Sequence, residues 1–159
     1  MSMGEKHTLS CLVENQFGVL ARVSGLISAR GFNIDSLTVS ATEDPTVSRM
    51  TIVVEADAVK LEQVKNQLNR LIDVIEVQEL KEGQFIDREL LLARVNVTAQ
   101  TKPALEQLAK QGGAKLAGLT DHSVVIEAAG DPKALDQLVE QLRPFGITTL
   151  VRTGRVALE

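Results

Sequence analysis

From Thr8 to Glu14, Leu9, Cys11 and Val13 alternate with Thr8, Ser10 and Leu12, the two-residue period of a strand with one buried face. After Gly18 the spacing lengthens. Val19, Leu20, Val23, Leu26 and Ile27 recur every three or four residues and make one apolar stripe on a helix that Gly31 closes. Leu37, Val39 and Ala41 then alternate with Ser36, Thr38 and Ser40. A turn over Thr42 to Thr46 separates them from the alternating Met50, Ile52 and Val54, which predicts an antiparallel strand pair. Asp57 caps a second helix with the stripe Leu61, Val64, Leu68 and Leu71, and Val74 to Leu80 returns to a strand. The order is βαββαβ.

The order recurs after a short polar segment, Lys81 to Gln84. It runs through a strand from Leu90 to Thr98, a helix from Pro103 to Gln111 opened by Thr101 and stopped by Gly112 and Gly113, and a strand from Lys115 to Leu119. A turn from Thr120 to His122 leads to a strand over Ser123 to Ala128. A helix opened by Asp131 and Pro132, with the stripe Leu135, Leu138, Val139 and Leu142, precedes a last strand from Ile147 to Arg152. Two helices with one apolar stripe each are buried most economically on one face of a four-stranded sheet. The pattern therefore predicts an α+β chain of two ferredoxin-like βαββαβ sandwiches in tandem, over 1–80 and 85–159, joined by a linker at 81–84. The repeat is one of architecture, not of residues. The outer face of the first sheet, with Thr8, Ser10, Leu12, Ser36, Thr38, Thr51 and Val53, is too mixed for a second core. It suits a wet surface or a subunit contact, and an open edge strand invites self-association.

Composition narrows the function. The 159 residues are 44% hydrophobic, ample for packed cores, yet no apolar run nears the roughly 20 residues that cross a bilayer. Cytoplasmic residence is expected, without a membrane partner. A net charge of -4, no Tyr or Trp and only four Phe leave neither a basic field nor stacking platforms, so no nucleic-acid partner is expected. The single cysteine, Cys11, excludes an intrachain disulfide and reads as a small core residue.

No catalytic constellation stands out. His7 and His122 lie in different halves without nearby ligand-type neighbours, the glycines follow no phosphate-loop spacing, and Glu43 with Asp44 beside Pro45 reads as an ordinary turn. The turn Glu14, Asn15, Gln16, Phe17, Gly18 is different. It delivers unpaired backbone N–H groups at a helix start, beside the side-chain amides of Asn15 and Gln16, and Gly18 lets a ligand approach the backbone. Val19, Leu20 and Ile34 could wall a small apolar pocket, so the turn has the parts that a free apolar amino acid requires. The alternative is structural, with Asn15 capping the helix and Gly18 bending the chain.

HTLSCLVENQFGVLARVSGLISARGFNIDSLTVSATEDPTVSRMTIVV, from His7 to Val54, resembles the N-terminal ACT domain of the acetolactate synthase small subunit. The likeness continues through Leu61 to Val77, DRELLLARV at Asp87 to Val95, PFGI, and VRTGRVAL near the end. The resemblance implies that 1–80 is a regulatory ACT domain and that the chain is not catalytic alone. It implies a regulatory subunit that activates a large catalytic subunit and confers feedback inhibition by a branched-chain amino acid, valine, in branched-chain amino-acid biosynthesis. Thiamine diphosphate, magnesium and FAD are expected in the large subunit, with no cofactor and no metal in this chain. Effector binding is expected in a homodimer formed through the ACT domain, with Asn15, Gly18, Val19 and Leu20 of one chain facing Asn33 and Ile34 of its neighbour. Gln16 and Phe17 depart from the smaller or charged residues expected before the glycine. A free-standing ACT-type sensor acting on an unrelated enzyme or transcription factor is the alternative, and an RNA binder on the same sandwich is disfavoured by the acidity and the lack of sheet aromatics.

Overall fold

A computed structural model describes residues 5–159. These residues divide into two compact units, the first running to Ile86 and including Arg155–Glu159, the second spanning Asp87–Gly154.

In the first unit the order is β1 (Glu5–Glu14), α1 (Val19–Ala29), β2 (Ile34–Ala41), β3 (Val47–Ala56), α2 (Ala58–Leu68) and β4 (Val74–Leu80). The sheet order is β2-β3-β1-β4, and every neighbouring pair is antiparallel. Both helices bury the faces their stripes define, except that Leu20, expected in the stripe of α1, is exposed. Val19, Val23 and Ile27 of α1, and Leu61, Val64 and Leu68 of α2, pack onto Leu9, Cys11, Val13, Met50, Ile52 and Val54 of the two central strands. Leu71, expected as the end of the second stripe, lies beyond α2 and packs against the same core from the following loop. β1 starts earlier than its alternation announces, because Glu5 and Lys6 pair with Ala56 and Glu55 while their side chains stay exposed.

The outer face of this sheet is drier than its sequence predicts. Thr8, Ser10, Thr51 and Val53 are all buried. The C-terminal segment Arg155–Glu159, which belongs to this unit, supplies part of the cover: Arg155 Nη1 donates to Thr8 Oγ1 at 2.8 Å, Gln78 Nε2 donates to Glu159 Oε2 at 2.5 Å, and Ala157 is buried.

The second unit comprises β5 (Ile86–Asn96), whose first residue falls in the first unit, followed by α3 (Lys102–Gln111), β6 (Lys115–Ala117), β7 (Ser123–Gly130), α4 (Pro132–Leu142), a single 3-10 turn at Arg143–Phe145, and β8 (Ile147–Arg152). Its sheet runs β6-β7-β5-β8 over a core that includes Leu91, Ala93, Val95, Leu105, Ile126, Leu135 and Leu142. The expected strand to Leu119 stops at Ala117, where Gly118 turns to φ +58°. Arg152 spans this unit: its Nε donates to Glu89 Oε2 at 2.8 Å and its Nη1 to Asp136 Oδ1 at 2.5 Å. Burial opposes the Arg152 charge, but the hydrogen bonds to Asp136 and Glu89 hold its pKa above the ordinary value. A three-residue strand, β9 (Val156–Leu158), which the sequence pattern does not announce, lies in the C-terminal segment of the first unit.

Candidate functional site

The helix starts differ in how their orphan amides are satisfied. Asp57 accepts from the Lys60 amide at the start of α2, and Asp131 accepts from the Lys133 and Ala134 amides at the start of α4. Both follow the rule that an N-cap oxygen takes a donor from the first turn. In α3, Thr101 occupies the cap position without a cap bond; its hydroxyl and that of Thr98 bond across the turn instead.

At α1 the cap position belongs to Gly18, in the left-handed region at φ +80°, with no side-chain cap. Val19 N–H reaches Gln16 O at 3.4 Å, and the amides of Phe17, Gly18, Leu20 and Ala21 have no acceptor among the described residues. Four donors thus converge on the positive end of a helix dipole, the arrangement that accepts a carboxylate.

The turn leading into α1 is rigidly held. Glu14 N–H donates to Asp73 O at 2.8 Å, and Asn15 N–H donates to Thr46 O at 2.7 Å. Asn15 Nδ2 donates to Pro45 O at 2.9 Å. Asn15 is therefore not the helix cap. It clamps the turn to the β2–β3 hairpin loop, and this leaves its Oδ1 as an acceptor that could meet an ammonium. Leu20 and Phe17 are exposed, Phe17 completely. Val19 turns its side chain into the core at 2% exposure, so only its backbone faces the turn.

Asn33 and Ile34 do not meet this turn within one chain. Glu14 pairs with Val47 at one end of the sheet, whereas Ile34 pairs with Val54, itself opposite His7, at the other. The 11 residues of α1 separate the two groups by about 16 Å. Asn33 is exposed and Ile34 half-buried at the start of the edge strand β2.

One polar contributor escapes the sequence reading. Arg22, a turn into α1, places Nη1 3.1 Å from where a Cβ on Gly18 would sit, and it pairs with Asp73 through Nε and Nη2, each at 2.7 Å. Position i+4 from Gly18 is the available signal, since residues four apart share a helix face. Its partner, 51 residues away, has none.

Elsewhere, Cys11 is buried, and burial pushes its thiol up to about 12, far from the thiolate that chemistry requires. Among the described residues no group of three or more His, Cys, Asp or Glu gathers to hold a metal, and no helix is long and apolar enough to cross a membrane.

Comparison with known proteins agrees along the whole chain. Residues 9–76 match the model of the AHAS small subunit-like ACT domain, and residues 88–159 match that of the small subunit of acetolactate synthase. A probable acetolactate synthase small subunit of Archaeoglobus fulgidus is 45% identical over 153 residues, covering 96% of each chain. The acetolactate synthase small subunit of Mycolicibacterium smegmatis is 45% identical over 96% of this chain and 89% of its own. The crystal structure of the acetolactate synthase small subunit from Thermotoga maritima superposes with a TM-score of 0.89 at 30% identity, covering 97% of this chain and 96% of that one. Two βαββαβ units, an N-terminal ACT domain and these likenesses over nearly the full length together show that this chain belongs to the acetolactate synthase small-subunit family.

Proposed function

We propose that this chain is the regulatory subunit of acetolactate synthase, raising the rate of a catalytic large subunit and making it sensitive to a branched-chain amino acid, valine, bound where two copies of the ACT domain meet. Thiamine diphosphate, magnesium and FAD belong, in this reading, to the large subunit. The observation that carries it is the uncapped start of α1, where the Phe17, Gly18, Leu20 and Ala21 amides lack acceptors among the described residues beside an exposed Leu20 and the Oδ1 of Asn15. Those groups answer the carboxylate, the apolar side chain and the ammonium of a small amino acid.

The sheet supports completion of this half-site by a second copy. β2 is an edge strand, and edge strands pair readily. Antiparallel pairing of β2 with its own copy sets the start of one β2 against the end of the other. The partner copy's Asn33–Ile34 segment is then carried toward the end of the sheet where Glu14 enters the turn. A ligand bridging two copies binds only the dimer, and so shifts assembly by its differential affinity.

The test is reconstitution with the cognate large subunit. The expected outcome is no acetolactate from this chain alone, a higher rate from the pair, and reversal of the gain by valine. An unchanged rate on mixing rejects the reading.

A further inference from the structure

A cavity lies on the face of the first sheet away from α1. It has a volume of about 250 Å³ and is lined by Ser40, Glu43, Arg49, Thr51, Val156 and Ala157, among others. Ser40 and Arg49 are cross-strand partners, so the base is built on the regular β2–β3 register. The C-terminal segment supplies an apolar wall.

The charges in this cavity are unusual. Arg49 is half-buried, and its Nη1 is fixed by donation to Ser10 Oγ at 2.7 Å. It forms no ion pair with any described residue. Glu43, on the same cavity, is equally without a cationic partner. A guanidinium and a carboxylate thus share one cavity without closing on each other. A guanidinium held at one nitrogen keeps the rest of its planar fork for a carboxylate.

We infer that this cavity is a second small-molecule site, selective for a small apolar α-amino acid. The ligand carboxylate lies on Arg49, its ammonium faces Glu43, and its side chain rests on Val156 and Ala157. The volume falls below the roughly 300 Å³ at which pockets for larger ligands begin, which limits the occupant to a compact molecule. Glu43 disfavours polyphosphates and dicarboxylates, since like charge beside like charge raises the cost of binding. The site shares no lining residue with the turn before α1 and stands whether or not that turn binds an effector.

The test is a methyl-resolved NMR titration of the full chain, labelled at Val and Ala, with L-valine and with its 2-oxo acid, which has the same carbon skeleton but no ammonium. Expected are saturable shifts at the Val156 and Ala157 methyls with valine, weaker binding of the 2-oxo acid, and a loss of about tenfold or more in Arg49→Met, the scale of one charge-assisted hydrogen bond. Glu43→Gln, an exposed change that leaves the core untouched, is expected to erase the preference for valine over the 2-oxo acid. Gly18→Asp is expected to leave these shifts in place. The inference is overturned if Ala157 does not respond to valine, if its response survives Arg49→Met, if the two probes bind alike, or if Gly18→Asp abolishes the shifts, which would assign them to the turn.

Discussion

Replacing Gly18 with Asp separates a ligand site from a structural bend. The backbone at Gly18 sits at φ +80°, where a side chain costs about 1 kcal/mol, with Asp among the better tolerated residues. The new Cβ would stand 3.1 Å from Arg22 Nη1, the far end of a side chain that can shift, and the new carboxylate would gain attraction from that guanidinium. The fold should therefore survive, with a fall of no more than roughly 4–8 °C in the midpoint of the first unit. Binding should suffer far more. A carboxylate at position 18 lies where the ligand's own carboxylate meets the vacant amides. Two such charges about 4 Å apart repel by about 1 kcal/mol in water and about 4 kcal/mol near a protein surface. An intermediate value near 2 kcal/mol corresponds to roughly 30-fold weaker binding. Calorimetric titration with valine in the Arg49→Met background, where only the turn site remains, alongside thermal unfolding by circular dichroism, measures both terms. A folded Gly18→Asp chain that binds valine with unchanged affinity would refute the assignment of these amides to the effector.

Two further expectations concern the packing of each unit. Because burial holds the Cys11 thiol protonated, with its pKa pushed up to about 12, alkylation by iodoacetamide at pH 8 should occur only through opening of the first unit and slow in proportion to its stability; rapid labelling under native conditions contradicts the packing described. Arg152→Met should destabilise the second unit by about 2–4 kcal/mol, since Glu89, 9% exposed, would be left as an unpaired carboxylate, and the double variant Arg152→Met with Glu89→Leu should recover most of that loss in urea titrations.

The parts of this fold that were legible in the sequence are those set by short-range periodicity. Val19, Val23 and Ile27 announce the buried face of α1, and the alternation of Leu9, Cys11 and Val13 announces the core face of β1. The cover over Thr8 and Ser10 was not legible. It rests on Arg155, 147 residues from Thr8, and on a three-residue strand too short to carry a period. At the candidate site, the need for unsatisfied amides was readable from a turn followed by glycine and an apolar stripe, but the owner of each role was not. Asn15 could be read as a ligand partner or as a cap, and the bonds to Thr46 and Pro45 that exclude the cap depend on where the β2–β3 hairpin folds back. Val19 recurs with Val23 and Ile27 on the buried face of α1, whereas Leu20, read into the same stripe, is exposed.

That clamp makes the hairpin loop part of the rigidity of the turn before α1. Asp44 Oδ1 accepts from the Thr46 amide at 2.9 Å and from Thr46 Oγ1 at 2.7 Å. Thr42 Oγ1 donates to Asp44 O at 3.0 Å, and Thr46 O in turn receives the Asn15 amide. Asp44→Ala removes the two bonds that fix Thr46 and should free the far side of the Asn15 clamp. The expected result is faster hydrogen exchange at the Asn15 amide and several-fold weaker valine binding, about the effect of loosening one positioning contact, with the core unaltered. The hydrogen bonds from the Thr46 side chain and then its backbone lower the Asp44 pKa below 3.8. A carboxyl group with a depressed pKa contributes stability above its unfolded value and loses it as pH falls through the folded one. The loop should therefore hold from neutrality down to about pH 4 and loosen only below that, and in Asp44→Ala the exchange rate at Asn15, corrected for intrinsic chemistry, should show no such rise below pH 4. If Asn15 exchanges equally slowly in both chains at neutral pH, the two Asp44 bonds are not what fixes Thr46, and the clamp rests on the hairpin backbone and the Asn15 bonds themselves.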